Sequence, residues 1–336
     1  MKKILLPLLG LLLGCAVSAS AEPLRVIFDT DVGNDVDDAL ALAMLHALQS
    51  RGECRLLAVT LTKDNAYAAQ FVDLVNTFYG RGEIPVGRVQ NGKTPESGNF
   101  IKAVVEARDE QGARLYPRQR APEAAVPDAV ALLRNTLAAQ PDGSVVLVQV
   151  GFFTNLARLL DSPPDAASPL AGRELVARKV KLLSAMAGRF NDKKGREYNV
   201  FIDTPASQNL CSNWPTPVYF SPWELGESLK FPAVSIERDF GYVAHHPVVD
   251  AYRHYMKFPY DRPTWDLTSV LYAVRPDRGY FSLSEAGRVG VDEQGKTLFT
   301  PDPQGRHFIL EATPEQKVRT LEALIQLSSQ PPDKKP

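Results

Sequence analysis

The stretch Ser144 to Val150 is apolar almost without interruption, and Lys179 to Ala187 repeats the pattern. A strand with one wet face alternates apolar and polar residues, so an unbroken apolar run belongs to a central strand covered on both faces. Segments with helical spacing of apolar residues separate such runs. Ala39 to Leu48 carries Leu40, Met44, Leu45 and Leu48 on one side, Ala66 to Tyr79 reads the same way, and Asp128 to Ala139 follows Pro127, which suits a first helical turn. Arg25 to Phe28, Arg55 to Thr62 and the short Ile84 to Val86 add further strands. Strand and helix therefore alternate, which predicts an α/β fold: a mostly parallel open sheet with helices on both faces.

Later segments extend the pattern. Asp203-Thr204-Pro205 opens a short helix, Pro217 to Phe220 is strand-like, and Trp265 to Val274 is helical. Short alternating runs around Gly287, Gly290 and Gly295 predict a hairpin. Thr313-Pro314-Glu315-Gln316 is a capping box opening a C-terminal helix to about Leu327. With no internal repeat and no linker, one domain over about 22–330 accounts for the chain, followed by a frayed Pro- and Lys-rich tail at 331–336.

The 336 residues carry a net charge of −1, so neither a nucleic acid nor an anionic membrane is an expected partner. Lys193, Lys194 and Arg196 beside Asp192 read as a solvated loop. At the N-terminus Lys2 and Lys3 precede an apolar run from Ile4 to Val17, and Ala19-Ser20-Ala21 supplies a small-x-small cleavage site. This is the layout of a secretory signal at residues 1–21, too short to span a membrane comfortably, and it predicts a periplasmic or secreted protein. Leu12-Leu13-Gly14-Cys15 also resembles a lipoprotein box, which leaves an anchor at Cys15 as the alternative. Cys54 and Cys211 then remain, two buried thiols rather than a disulfide framework, with no ligand spacing for zinc.

Chemistry concentrates in Asp29-Thr30-Asp31-Val32-Gly33-Asn34-Asp35-Val36-Asp37-Asp38, with five carboxylates in ten residues between a strand and a helix. In a parallel sheet that edge is where ligands bind. Two like charges about 4 Å apart repel by about 4 kcal/mol at an effective dielectric near 20, and a helix N-terminus returns only about 1 kcal/mol. A bound cation is the natural remedy, and all-oxygen ligands favour Ca²⁺ or Mg²⁺; a solvated turn with one Asp as helix cap is the plainer alternative. An EF-hand does not fit, because Gly33 comes too early and a strand precedes. Asp29-Thr30-Asp31-Val32-Gly33 matches all but the last position of the haloacid dehalogenase phosphatase motif, which makes phosphoryl transfer a runner-up.

The turn also resembles the opening motif of the inosine/uridine-preferring nucleoside hydrolases, Asp-Thr-Asp-Pro-Gly-x-Asp-Asp-Ala, with two extra residues before the Asp-Asp pair. Other stations follow in order. Val59-Thr60 with Asn65 stands where the family has a sugar-contacting asparagine. Leu147 to Ala157 resembles Val-Pro-Thr-Gly-Pro-Leu-Thr-Asn-Ile-Ala, with Thr154 and Asn155 read as caps of the following helix. Ala185-Met186-Ala187-Gly188 replaces Met-Gly-Gly, and Asn191, Glu197, Tyr198 and Asn199 match an Asn…Glu-Phe-Asn spacing. Asp203 with Pro205-Ala206 is similar to Asp-Pro-Glu-Ala, and Trp265-Asp266 takes the place of His-Asp.

The resemblance spans nearly all of 24–275 and implies the Rossmann-like nucleoside hydrolase fold, Ca²⁺-dependent hydrolysis of a nucleoside or N-riboside, and a homodimer or homotetramer. It implies Asp31 as general base and metal ligand, and Asp38, Asp266 and the Val150 carbonyl as further ligands. Asp37, Asn65, Asn191, Glu197 and Asn199 would hold the sugar, with Asp35 either replacing Asp37 or serving as a cap. Trp265 departs from the family's proton-donating histidine and could stack on a flat leaving group or simply fill core beside Asp266. None of His46, His245, His246, His254 and His307 is an obvious substitute, although His245 and His246 fall in an expected mobile loop near Tyr252, Tyr255 and Tyr260. A binding module that keeps the metal site without turnover is the reading of a different class.

Overall fold

The computed structural model describes residues 22–121, 125–191 and 195–333. The signal segment, Lys193 and Lys194 lie outside the described residues. Six strands run parallel in one sheet: β1 (Leu24–Thr30), β2 (Cys54–Lys63), β3 (Val86–Lys93), β4 (Val145–Gln149), β5 (Val180–Met186) and β6 (Val218–Ser221). Their order in space is 3-2-1-4-5-6. A small separate ribbon joins β7 (Lys230–Phe231) to β8 (Arg262–Pro263). Beyond β6 the main sheet continues through β12 (His307–Glu311), which is parallel to β6 and flanked by antiparallel β9 (Ser282–Leu283) and the hairpin β10–β11 (Gly287–Val291, Thr297–Pro301). The sheet is open, mixed only at this end, and clad by helices, as the alternation of patterns predicts.

The strands supply both layers. Val26 and Phe28 of β1 enter the core on one face and Ile27 that on the other; Val146 and Val148 of β4 oppose Val145 and Leu147 in the same way. That division is why these runs lack polar residues. Helix α1 (Asp37–Ser50) is buried from Asp37 to Leu48, wedged against the helices Trp265–Val274 and Pro314–Ser328. The capping box at Thr313 and Gln316 is formed, and Trp265–Val274 has the bounds read from the sequence.

Three local expectations are corrected. The third strand begins at Val86, where it was expected to end, because it is an edge strand whose polar Gln90 and Asn91 hide it from a hydrophobic reading. Thr154 and Asn155 do not cap the helix Thr154–Leu160: Phe153 is at that position, and the two side chains donate instead to Asp203 and Asp29. His246 is buried and caps the helix Pro247–Tyr255, rather than lying in a mobile loop.

Candidate active site

Strand order reverses between β1 and β4, and the crevice beyond their C-terminal ends is where an α/β sheet presents a ligand site. A cavity of about 420 Å³ opens there, lined by Asp31, Asp35, Asp37, Asp38, Val150, Glu197, Asn199, Trp265 and Asp266 from the sequence-derived set. Gly33, Asn34, Glu96, Gly98, Asn99, Met186, Tyr198 and Trp223 complete the wall. Close approach of backbones shapes it. A Cβ at Gly151 would lie 2.7 Å from the Asp31 amide nitrogen, and one at Gly98 would lie 2.0 Å from the Gly33 carbonyl oxygen.

Asp37 and Asp38 stand in the first turn of α1, and Asp266 in the first turn of Trp265–Val274. Two helix N-termini thus point their positive ends at one carboxylate group. Asp37, Asp38 and Asp266 each offer an oxygen, all within 4.8 Å of one another. Asp37 Oδ2 accepts from the Asp266 amide at 3.1 Å, the Thr30 hydroxyl donates to Asp38, and Asp38 Oδ2 is buried with no hydrogen-bond partner among the described residues. Burial first, then the neighbouring carboxylates, push all three well above the usual carboxylate range. A buried, mutually repelling trio with an orphaned oxygen is a donor set that fits a hard divalent cation.

Asp31 lies at the exit of β1. Its Oδ2 accepts from the Asn34 amide at 2.8 Å, and burial raises its pKa to about 6 against the opposing pull of Asn34 and Lys63. Glu197 accepts from the backbone N–H groups of Asn199, Gly188 and Val200, yet burial still pushes it up to about 7. Asn199 donates to the carbonyls of Val150 at 2.9 Å and Met186 at 3.1 Å, so it ties the ends of β4 and β5 together beneath the cavity. Asp29 lies under the site rather than in it, fixed by Thr60 at 2.6 Å and Asn155 at 2.8 Å.

Two expected residues are not brought to the cavity. Asn65 caps helix α2 (Ala66–Phe78), accepting from the Tyr67 amide at 2.8 Å and donating to the Pro95 carbonyl at 2.6 Å. Asn191 is exposed, and its backbone N–H donates to Glu224. Conversely, the sequence reading missed Lys63, Arg262 and Trp223. Lys63 is fully buried at the end of β2 and donates to Asn34 Oδ1 at 2.6 Å. Its one signal in sequence is a charge at the C-terminal end of a largely buried strand. Arg262 pairs with Asp35, which also accepts from the Val36 amide at 2.6 Å and lines the cavity. Trp223 accepts through its carbonyl from Trp265 Nε1 at 3.0 Å, and the two indoles line one side of the cavity. No histidine is among the lining residues.

Comparison with known proteins agrees with this geometry. The uncharacterized protein C1683.06c of Schizosaccharomyces pombe is 27% identical over 274 residues, covering 76% of this chain and 81% of that protein. Two solved structures share the fold. A plant nucleoside hydrolase, the PpNRh1 enzyme, superposes with a TM-score of 0.68 at 19% identity over 92% of this chain and 100% of its own. The inosine-uridine preferring nucleoside hydrolase of Bacillus anthracis gives 0.67 at 18% over 91% and 99%. The model of the inosine-uridine preferring nucleoside hydrolases matches residues 26–324, from the core of β1 into the last helix, which sets the phosphatase alternative aside. The chain belongs to that family and is a hydrolase acting on N-glycosyl compounds.

Proposed function

We propose that the protein is exported and hydrolyses the N-glycosidic bond of a ribonucleoside or related N-riboside, using Ca²⁺. The observation that carries the reading is the convergence of Asp31, Asp37, Asp38, Glu197 and Asp266 on one cavity at the sheet's switch point. Departure of the leaving group develops positive charge on the sugar ring, and a carboxylate-lined cavity stabilises that charge.

Asp31, Asp38, Asp266 and the Val150 carbonyl would hold the cation, with Asp37 close enough to share it or to take a sugar hydroxyl. A bound Ca²⁺ would supply polarisation of an attacking water and of sugar hydroxyls. Asp31 is the general base: Asn34 occupies one of its oxygens, and the other remains to take a proton from water. Glu197 and Asn199 orient the sugar against the β4 and β5 ends. Trp265, with Trp223 behind it, forms a flat wall for the leaving group. Asn65 and Asn191 act on the site only indirectly in this reading, through Pro95 and Glu224. Export rests on the Lys2-Lys3, apolar and Ala-Ser-Ala succession, with release after Ala21 favoured over a lipid at Cys15.

The test is incubation with a panel of purine and pyrimidine nucleosides and a nitrophenyl riboside, with released reducing sugar as the readout. Release that stops on chelation and returns with Ca²⁺ supports the proposal. Tight nucleoside binding with no sugar released would instead establish a binding module.

A further inference from the structure

Asn34 stands in the cavity wall, beside a lysine that touches no solvent. Lys63 Nζ donates to Asn34 Oδ1 at 2.6 Å and to the Thr94 carbonyl at 3.0 Å, with Glu96 3.7 Å away. Asn34 Nδ2 in turn donates to Asp31 Oδ2 at 2.8 Å and to the Thr94 hydroxyl at 3.2 Å. An ammonium can only donate, so it fixes which end of the Asn34 amide faces it. A flipped amide would set NH₂ against NH₃⁺ and a carbonyl oxygen against the Asp31 carboxylate. The only favourable arrangement delivers N–H to Asp31. Gly98 of the 94–99 loop packs on the Gly33 carbonyl, so the same lysine also fastens that loop over the acidic turn.

We propose that Lys63 is a positioning residue for the hydrolysis, acting through Asn34 to hold the Asp31 carboxylate in the one orientation that leaves its second oxygen directed at the attacking water. The proposal rests on the hydrolase reading above. Lys63 does not touch the substrate, since its side chain is fully buried behind Asn34. A carboxylate free to rotate would spend most of its time out of line, and small misplacements of a reacting group are costly in rate.

The experiment is a double-mutant cycle of Lys63→Met and Asn34→Leu, read by nucleoside turnover and by Tb³⁺ luminescence sensitised through Trp223 and Trp265. Each single variant is expected to lower kcat by about 10- to 100-fold. KM and the Tb³⁺ affinity should each change by less than about threefold. The double variant should be no slower than the slower single one, because both remove the same relay. Additive losses, a parallel fall in Tb³⁺ affinity, or an unaltered kcat in Lys63→Met would overturn the proposal, the first two by showing that the lysine merely supports the fold. Absence of turnover in the unaltered protein would sink the hydrolase reading and this proposal together, a result distinct from loss confined to the variants.

Discussion

Arg262 grips Asp35 side-on through one edge of its guanidinium, with Nε 3.0 Å from Oδ1 and Nη2 donating to Oδ2. The pair is about three-quarters or more buried, and the guanidinium also lies 5.1 Å from the Tyr255 ring centre and 5.0 Å from that of Trp265. A carboxylate that would otherwise add to the repulsion around Asp37 is thereby neutralised, and the arginine becomes a prop for the aromatic wall. Removing the arginine alone leaves a partly buried charge facing Asp37. Arg262→Met should therefore destabilise the metal-free protein by about 1 to 3 kcal/mol, discounted for the solvent that reaches the pair. Asp35→Asn/Arg262→Met should recover part of that loss in urea unfolding. A double variant less stable than Arg262→Met would refute the charge argument.

The carboxylate trio predicts how the cation is held. Protein purified without chelator should contain about one equivalent of Ca²⁺ per chain by elemental analysis. Asp38→Asn and Asp266→Asn should lose metal and activity together. Asp37→Asn separates its two candidate duties: retained metal with a raised KM assigns it to the sugar, and lost metal assigns it to the cation. Asp31→Asn should lose turnover most while still binding nucleoside.

Stability of the metal-free protein should depend on pH in an unusual direction. Asp29 and Glu197 are raised to about 7 and Asp31 to about 6, all chiefly by burial. A carboxyl group with a raised native pKa binds protons more tightly folded than unfolded, so its stabilising contribution is full below pH of about 4 and is lost as pH climbs through 6 to 7. Burial opposes this at three histidines: it holds His46 and His246 down to about 3 and His307 to about 4, so their contribution is present above pH of about 6.5 and lost as pH falls. Asp165, lowered to about 2 by its hydrogen bond from Arg134, matters only in stronger acid. The raised carboxyl groups, with Asp37, Asp38 and Asp266 among them, outnumber those histidines, so the melting temperature without metal should fall between about pH 4 and 7. Saturating Ca²⁺ should flatten or reverse the slope. A metal-free melting temperature that rises across that window would contradict the buried placement of these groups.

Leaving-group chemistry should show the absence of a histidine from the cavity lining. The Trp265 indole N–H is committed to the Trp223 carbonyl at 3.0 Å, and indole is no acid at neutral pH. His246 is held low, at about 3, by burial among Phe78, Phe240 and Tyr242. General acid catalysis contributes about 10² to 10⁴-fold, so a nitrophenyl riboside should turn over faster than inosine or uridine by a factor of that order. Trp265→His should narrow the gap, and Trp265→Ala should weaken aromatic leaving groups by about 1 to 3 kcal/mol if stacking holds them. Equal rates for inosine and the nitrophenyl riboside would mean that another lining group, with Tyr198 the first to replace, delivers the proton.

Mass spectrometry of the protein recovered from outside the cytoplasm should give a chain beginning near Glu22. A mass fitting an acylated Cys15 would establish the anchored form instead.

The residue pattern by itself determined the layers and the place of the acidic turn. Val26, Ile27 and Phe28 have no polar neighbour among them because each faces a helical layer, and a strand buried on both sides leaves that mark in any linear reading. Asp31, Asp37 and Asp38 stood out as carboxylates crowded at a strand exit, and Asp266 only through its place in the family motif. Which partners the polar groups take was decided only by the tertiary structure. Asn65 looks the same in sequence whether it caps α2 or faces a sugar, and its β-region backbone with the Tyr67 amide in reach selects the cap. Lys63 and Asn34 are 29 positions apart, and Asp35 and Arg262 are 227 apart. No periodicity links residues so distant. They meet because β2 lies beside β1 and because the chain returns through Arg262 to the start of the helix that carries Asp266.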